Sequence, residues 1–251
     1  MSFFNSIGRS MTRAPRNVKR SPTPTSATST TFPDATSPKS ASPAPASPQK
    51  ALYLCSPFVE AALVKGNFKT IVMLPKYVDI MEWVAVNMFD FYTNLNEFYG
   101  VLTEFCTQQN CSTMSAGSTL SYTWINQDRK HVHLPAPTYI DYVMTWVQNM
   151  LDDDNVFPTK SGHDFPPSFP STVKHIYRQL LRVFAHIYHA HYAQILHLRS
   201  EPHFNSLFAH FLAFGSEFEL LENKDLRGSS SSPVGVGALA ERWKQMGILG
   251  G

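Results

Sequence analysis

The sequence predicts an all-α domain behind a tail that cannot fold alone, and three observations carry that prediction. Four long stretches space their apolar residues at helical intervals, and only one short segment alternates as a strand pair does. The apolar content of 43%, with 13% aromatic residues over 251 positions, is enough for a sizeable core. Charge separates the parts: the first fifty residues carry seven Lys/Arg against one acid, Asp34, while residues 51–251 carry fourteen Lys/Arg against eighteen Asp/Glu. The net charge of +2 therefore hides a +6 tail on a −4 body.

In the tail, Arg9, Arg13, Arg16, Lys19 and Arg20 make a basic arm with too little apolar surface to fold. Residues 21–49 are Ser, Thr, Pro or Ala at 25 of 29 positions, a composition that reads as a disordered linker. Its Ser21-Pro22, Thr23-Pro24, Ser37-Pro38, Ser42-Pro43 and Ser47-Pro48 pairs suit a proline-directed kinase, against the plainer reading of an unmodified spacer. The expected organisation is a disordered tail over 1–50 and one domain over 51–251, with a flexible insert at 228–233. Three cysteines, no run long enough to cross a bilayer and no signal-peptide pattern point to a reducing, cytoplasmic setting without disulfides.

Within the body, Pro57 to Lys65 reads as a short helix closed by Gly66. The first long helix is expected over Asp79 to Phe105. Its acids Asp79, Glu82, Asp90, Glu97 and Glu104 fall within about a quarter of the helix circumference, and no Lys or Arg lies between Lys76 and Arg129. A solvated face is the ordinary meaning of such charge. Like charges at this spacing repel, however, and Trp83 and Val86 sit at the same edge as exposed apolar positions, so a basic partner segment would satisfy both features.

Leu120 to Trp124 and His131 to Leu134 read as a β-hairpin around residues 126–130. His131 and His133 are metal ligands by type but rank below the helical histidines. Tyr139 to Leu151 is the second long helix, followed by three acids, Asp152 to Asp154, that read as solvated. The third, Ser171 to Arg199, carries five of the ten histidines. Its apolar side faces inward, and Lys174, Arg178 and Arg182 line the opposite edge as a stripe suited to an anion. The fourth runs from Pro202 to Leu221, and Ala238 to Met246 makes a last amphipathic turn.

His186 and His191 on the third helix, with Cys106 and Cys111, supply the two sulfurs and two nitrogens of a zinc tetrahedron. The spacing is not that of a zinc finger. Residues five apart on a helix diverge by about 140°, so His189, three from His186, is the nearer neighbour by helical geometry. Each of these residues also has a plain structural reading, a core histidine bonded to backbone or a cysteine acting as a small hydrophobe.

Four segments carry a resemblance to a known family: MLPKYVDIMEWVAVNMFDFY at 73–92, FYGVLTEFCTQQNCSTMSAG at 98–117, APTYIDYVMTWVQNMLDD at 136–153 and LLRVFAHIYHAHY at 180–192. The chain resembles the Mob (Mps-one-binder, phocein-like) family of kinase activators over 51–225, in its core branch that partners LATS- and NDR-type kinases. The resemblance implies an all-α helical bundle around a four-helix core with one small β-hairpin. It also implies a structural Zn2+ held by Cys106, Cys111, His186 and His191, thus choosing His191 over His189. It implies a non-catalytic adaptor whose acidic face receives the basic N-terminal regulatory segment of the kinase; Glu82, Trp83 and Asp90 match the family's positions, and Asp79 and Val86 join them from the helix face described above. Arg178 and Arg182 match the family's bases that would receive a phosphothreonine peptide from an upstream Ste20-like kinase or scaffold, and Lys174 joins them from the basic stripe described above.

Thr12 resembles a threonine those kinases phosphorylate, and Ser37 and Ser47 are further phosphorylation candidates. Three positions depart from the family pattern: Val78 stands where many members have an acid, Gln179 where a base is usual, and Ala62 at a second phosphosite. Hippo-like or mitotic-exit and septation signalling is the implied setting, in the cytoplasm and at the nucleus, spindle pole and division site. Neither membrane insertion nor nucleic-acid binding is expected. The alternative is a zinc-dependent hydrolase on an all-α scaffold, against which stands the lack of a His-Glu-x-x-His, deaminase, phosphate-loop or nucleophile-elbow motif.

Overall fold

The computed structural model describes residues 50–159, 162–229, 232–233 and 235–249. The basic arm, the linker and the candidates Thr12, Ser37 and Ser47 lie outside them. Four long helices dominate: α2 (Ile80–Gly100), α3 (Ala136–Leu151), α4 (Phe169–Ala190) and α6 (Glu201–Glu217). Shorter ones are α1 (Phe68–Ile71), α5 (Tyr192–His197), α7 (Asn223–Arg227) and α8 (Gly235–Gln245), with 3-10 turns at Leu52–Leu54 and Phe58–Glu60. One antiparallel hairpin pairs β1 (Trp124–Ile125) with β2 (His131–Val132). In the segment expected as an insert, β3 (Gly228–Ser229) pairs with β4 (Ser232–Pro233). The fold is the all-α bundle that the sequence predicts.

At the centre lies α4. Val173, Ile176, Tyr177, Leu180, Val183, Phe184 and Ile187 are buried, at the helical spacing that a single apolar face requires. Against it stand α2 and α6: Tyr177 stacks on Phe211 with ring centroids 4.0 Å apart, and Phe91 of α2 meets both rings edge-on. The Tyr177 hydroxyl donates to the Phe211 carbonyl at 2.6 Å, so the ring is buried without an orphaned oxygen. A Cβ on Gly215 would come within 2.7 Å of Tyr177 Cε1, so α6 approaches α4 as closely as only a glycine permits.

Element boundaries depart from expectation where tertiary bonds compete with helical ones. The helix expected over 57–65 is only the 3-10 turn Phe58–Glu60. Downstream, the Leu63 amide donates to Ser206 Oγ (2.8 Å) and the Pro202 carbonyl, and the Val64 amide to the same Ser206 oxygen (3.2 Å). Asn205 fastens the segment from its other side, donating to the Phe58 and Ala61 carbonyls at 2.9 and 2.7 Å while accepting from the Tyr188 hydroxyl.

The first long helix stops at Gly100 instead of Phe105, and a tight turn then swings Cys106 inward, its amide bonded to the Leu102 carbonyl. The hairpin is shorter than expected because its flanks bond elsewhere: the Tyr122 amide to Met114 O, and the Met114 amide to Leu134 O. Two helices start early with proline in the first turn, Pro137 in α3 and Pro170 in α4, where no intrahelical N–H is needed. The helix expected from Ser171 to Arg199 divides at His191, whose φ of −128° and ψ of 11° are not helical.

Candidate metal centre and charged faces

Four elements deliver four donors to one buried point. The turn after α2 carries Cys106, the loop before β1 carries Cys111, the C-terminal part of α4 carries His186, and the break between α4 and α5 carries His191. Their donor atoms all lie within 4.8 Å of one another, and all four residues are buried. The metal ligands proposed from the resemblance are thus brought together. His189 is exposed and outside the cluster, as are His131 and His133 on the hairpin, where His131 pairs with Thr123.

The spacing can be tested against a tetrahedral ion. Zinc bonds of about 2.3 Å to sulfur and about 2.0–2.1 Å to nitrogen place adjacent S and N atoms about 3.5 Å apart. Cys106 Sγ lies 3.6 Å from His186 Nε2, and Cys111 Sγ 3.4 Å from His191 Nε2. His186 Nδ1 lies 2.8 Å from the Ser115 carbonyl, an acceptor that fixes the proton on Nδ1 and turns the Nε2 lone pair inward.

Burial pushes the Cys106 thiol up to about 12 and the Cys111 thiol upward as well. Burial likewise takes His186 down to about 4 and lowers His191. A pocket that penalises bare thiolates yet gathers two cysteine sulfurs beside two imidazoles held neutral fits a divalent cation, whose charge would let both sulfurs ionise.

On α2 the acids are exposed, and Asp79, Glu82, Asp90 and Glu97 make no ion pair among the described residues. Glu104 falls beyond the helix end. Asp79 has a second task that its spacing to Glu82 could have revealed, since Asp-x-x-Glu before an apolar run marks a helix start. Its Oδ1 accepts from the Met81 and Glu82 amides at 2.8 and 3.2 Å and caps α2. Partial burial raises the Asp90 carboxyl above its usual range.

Trp83 corrects the expectation of an exposed edge. It is half-buried, its indole N–H donates to the Val72 carbonyl at 3.3 Å, and its ring lies 6.5 Å from that of Phe214. The exposed apolar positions beside the acids are instead Ile80, Val86 and Phe89. Glu82, Val86 and Phe89 line a groove of about 610 Å³ whose far wall is Leu151, Phe157, Pro158 and His163.

The basic stripe on α4 is also more occupied than the sequence suggests. Arg178 Nη2 donates to Glu222 Oε1 at 2.7 Å and Arg178 Nε to Asp225 Oδ2 at 3.3 Å. Arg182 Nη1 donates to the Tyr139 hydroxyl at 2.6 Å, and its guanidinium lies 4.9 Å from the centre of the Tyr122 ring. Gln179, the departure from the family pattern, accepts from the Tyr139 hydroxyl at 3.1 Å. The stripe is a bonded network, so removing its arginines costs packing as well as charge.

Comparison with known proteins agrees with this arrangement. The Mob1/phocein family model matches residues 60–229. The maintenance of ploidy protein mob2 of Schizosaccharomyces pombe is 58% identical over 175 residues, which cover 70% of this chain and 72% of that protein. The CBK1 kinase activator protein MOB2 of Candida albicans is 53% identical over 175 residues, 70% of this chain and 56% of that protein. Its namesake in Saccharomyces cerevisiae is 49% identical over 178 residues, 71% of this chain and 62% of that protein. The chain thus spans less than two thirds of the length of those two kinase activators. With most of its described helical core inside the matched span, the chain belongs to the Mob1/phocein family.

Proposed function

We propose that this protein is a non-catalytic adaptor that binds and activates an NDR/LATS-type serine/threonine kinase in Hippo-like or mitotic-exit signalling, acting in the cytoplasm and at the division machinery. The observation that carries the reading is the exposed acidic face of α2, where Glu82 and Asp90 flank Val86 and neither acid is paired with a base among the described residues. A basic, amphipathic segment N-terminal to the kinase domain would place its charges on the acids and its apolar side in the groove beside Val86 and Phe89. Relatives named as activators of the kinase CBK1 support this reading.

A structural zinc is part of the proposal. Four donors complete its tetrahedron and leave no ligand position for a reacting water, which disfavours the hydrolase alternative. The ion would tie the turn after α2, the loop before β1 and the α4–α5 break to one point. Lys174, Arg178 and Arg182 would receive a phosphothreonine peptide from an upstream Ste20-like kinase or scaffold.

The test is co-precipitation of an NDR-type kinase with the full chain, wild type against Glu82→Lys and Asp90→Lys. Capture is expected to fall at least about tenfold in each reversal. Undiminished capture by both would reject the acidic-face mechanism. For the second site, titration of a phosphothreonine peptide and its unphosphorylated twin is expected to show binding of the former only.

A further inference from the structure

The stripe assigned to the phosphopeptide already holds two carboxylates. Glu222 Oε1 and Asp225 Oδ2 accept from two N–H groups of Arg178, at 2.7 and 3.3 Å. That arrangement is the one a phosphate monoester would seek from the same fork. Glu222 immediately precedes α7 and Asp225 lies in its first turn, which is drawn together by the Glu222 amide donating to Asp225 Oδ2 at 2.9 Å. Lys224 Nζ holds the second Glu222 oxygen at 2.6 Å.

The Glu222 carboxyl is held below its usual range, by its hydrogen bond to Lys224 first and then by the charges of Lys224, Arg178 and Lys174. Lys174 stands one helical turn before Arg178 on α4. Arg182, by contrast, has neutral partners among the described residues: the Tyr139 hydroxyl and the Tyr122 ring. Within the described residues the charge of Arg178 is paired with carboxylates and that of Arg182 is not.

We propose that Glu222 and Asp225 are an internal competitor for the phosphate, filling the Arg178 fork in the free protein so that a phosphopeptide gains its full grip only by displacing them. The inference rests on the phosphopeptide reading above. The Arg178–Glu222 pair is exposed, with Glu222 52% exposed just before the five-residue α7. The Arg178–Asp225 contact is long at 3.3 Å though Asp225 is only 16% exposed, so the Glu222 arm is the one readily displaced. A phosphothreonine carries about −1.5 to −2 charge near neutral pH and can outbid a single carboxylate for the fork. Left in place, the two acids would repel it. They thus set a threshold, admitting a doubly charged phosphate and discouraging peptides that offer only Asp or Glu.

The experiment titrates a fluorescent phosphothreonine peptide and its unphosphorylated and Glu-substituted twins into the full chain. The proteins are wild type, Glu222→Gln, Glu222→Gln with Asp225→Asn, and that double variant with Arg178→Ala. Glu222→Gln keeps the shape of the side chain and does not touch the α7 turn bond, so it covers the case in which Asp225→Asn loosens the helix; thermal melts report folding.

The expected result is phosphopeptide affinity rising several-fold in the single variant and about tenfold in the double. The Glu-substituted twin should begin to bind the double variant, and all gain should vanish on Arg178→Ala. A wild type that binds the phosphopeptide as tightly as both variants, or more tightly, overturns the competitor while leaving the phosphate site standing. If no protein prefers the phosphorylated peptide, site and competitor both fall. Binding by the variants alone supports the competitor in its strongest form.

Discussion

His191 ends one helix and begins the next, and that single residue decides which histidine joins the buried cluster that could hold a metal. On a straight helix His186 and His191 would diverge by about 140°, which made His189 the nearer partner by spacing. The break at His191, with its φ of −128°, removes the premise and turns the side chain back to face Cys111. His191→Gln is expected to lose the metal and His189→Gln to keep it, with zinc stoichiometry by mass spectrometry as the readout. Cys106→Ser should lower Tm by about 10 °C, the drop that a loss of about 4 kcal/mol produces in a domain of this size. Metal removal by a strong chelator should reproduce that drop in wild type and add little to the variant.

Asp79 shows how one residue can serve two readings. It was legible as part of an acidic face, but its bonds to the Met81 and Glu82 amides make it the cap of α2 as well. Asp79→Asn keeps the cap and removes the charge, so it should leave Tm within about 1–2 °C while weakening kinase capture. Asp79→Ala should cost about 1 kcal/mol in addition. A Tm loss equal in the two variants would contradict the capping role.

At the scale of elements, the long helices were legible because an apolar face repeats over three or more turns and tolerates a few residues of error at either end. What the sequence hid were features settled by distant partners. Trp83 sits at the edge of the acidic face by helical angle, yet the Val72 carbonyl and the Phe214 ring draw it inward. Arg178 reads as a free base until α7, 44 residues away, brings Glu222 to it. The segment at 57–65 has helical composition, but Asn205 and Ser206 take its backbone groups.

The seam between α4 and α6 yields its own prediction. Gly215→Ala would press a methyl to within 2.7 Å of the Tyr177 ring, which is locked by its bond to Phe211 O. A cost of about 1–3 kcal/mol is expected from overpacking, outweighing the better helix propensity of alanine. Urea denaturation measures it, and an unchanged midpoint would mean that the seam is looser than it looks.

Across the whole molecule, acid should unfold this protein early. His175 and His210, away from the candidate metal centre, have their pKa lowered from 6.5, in each case first by desolvation. A histidine whose folded pKa lies below its unfolded one takes up protons more readily when unfolded. The stability these two histidines supply is therefore complete above about 6.5 and falls as the pH drops from there. Tm should fall between pH 7 and pH 5. His210→Phe should soften the slope, because His210 Nε2 is buried without a hydrogen-bond partner beside Phe91 and Phe214.

The segment before α1 and the segment around α8 are fastened to each other. The Trp243 indole donates to the Val59 carbonyl at 2.8 Å, and the Phe68 amide to the Ile248 carbonyl at 3.4 Å. These far-apart stretches should accordingly open as one cooperative unit. In deuterium labelling, the peptides covering 57–68 and 236–248 are expected to gain mass in step, and Trp243→Ala to quicken both while sparing the amides of α4.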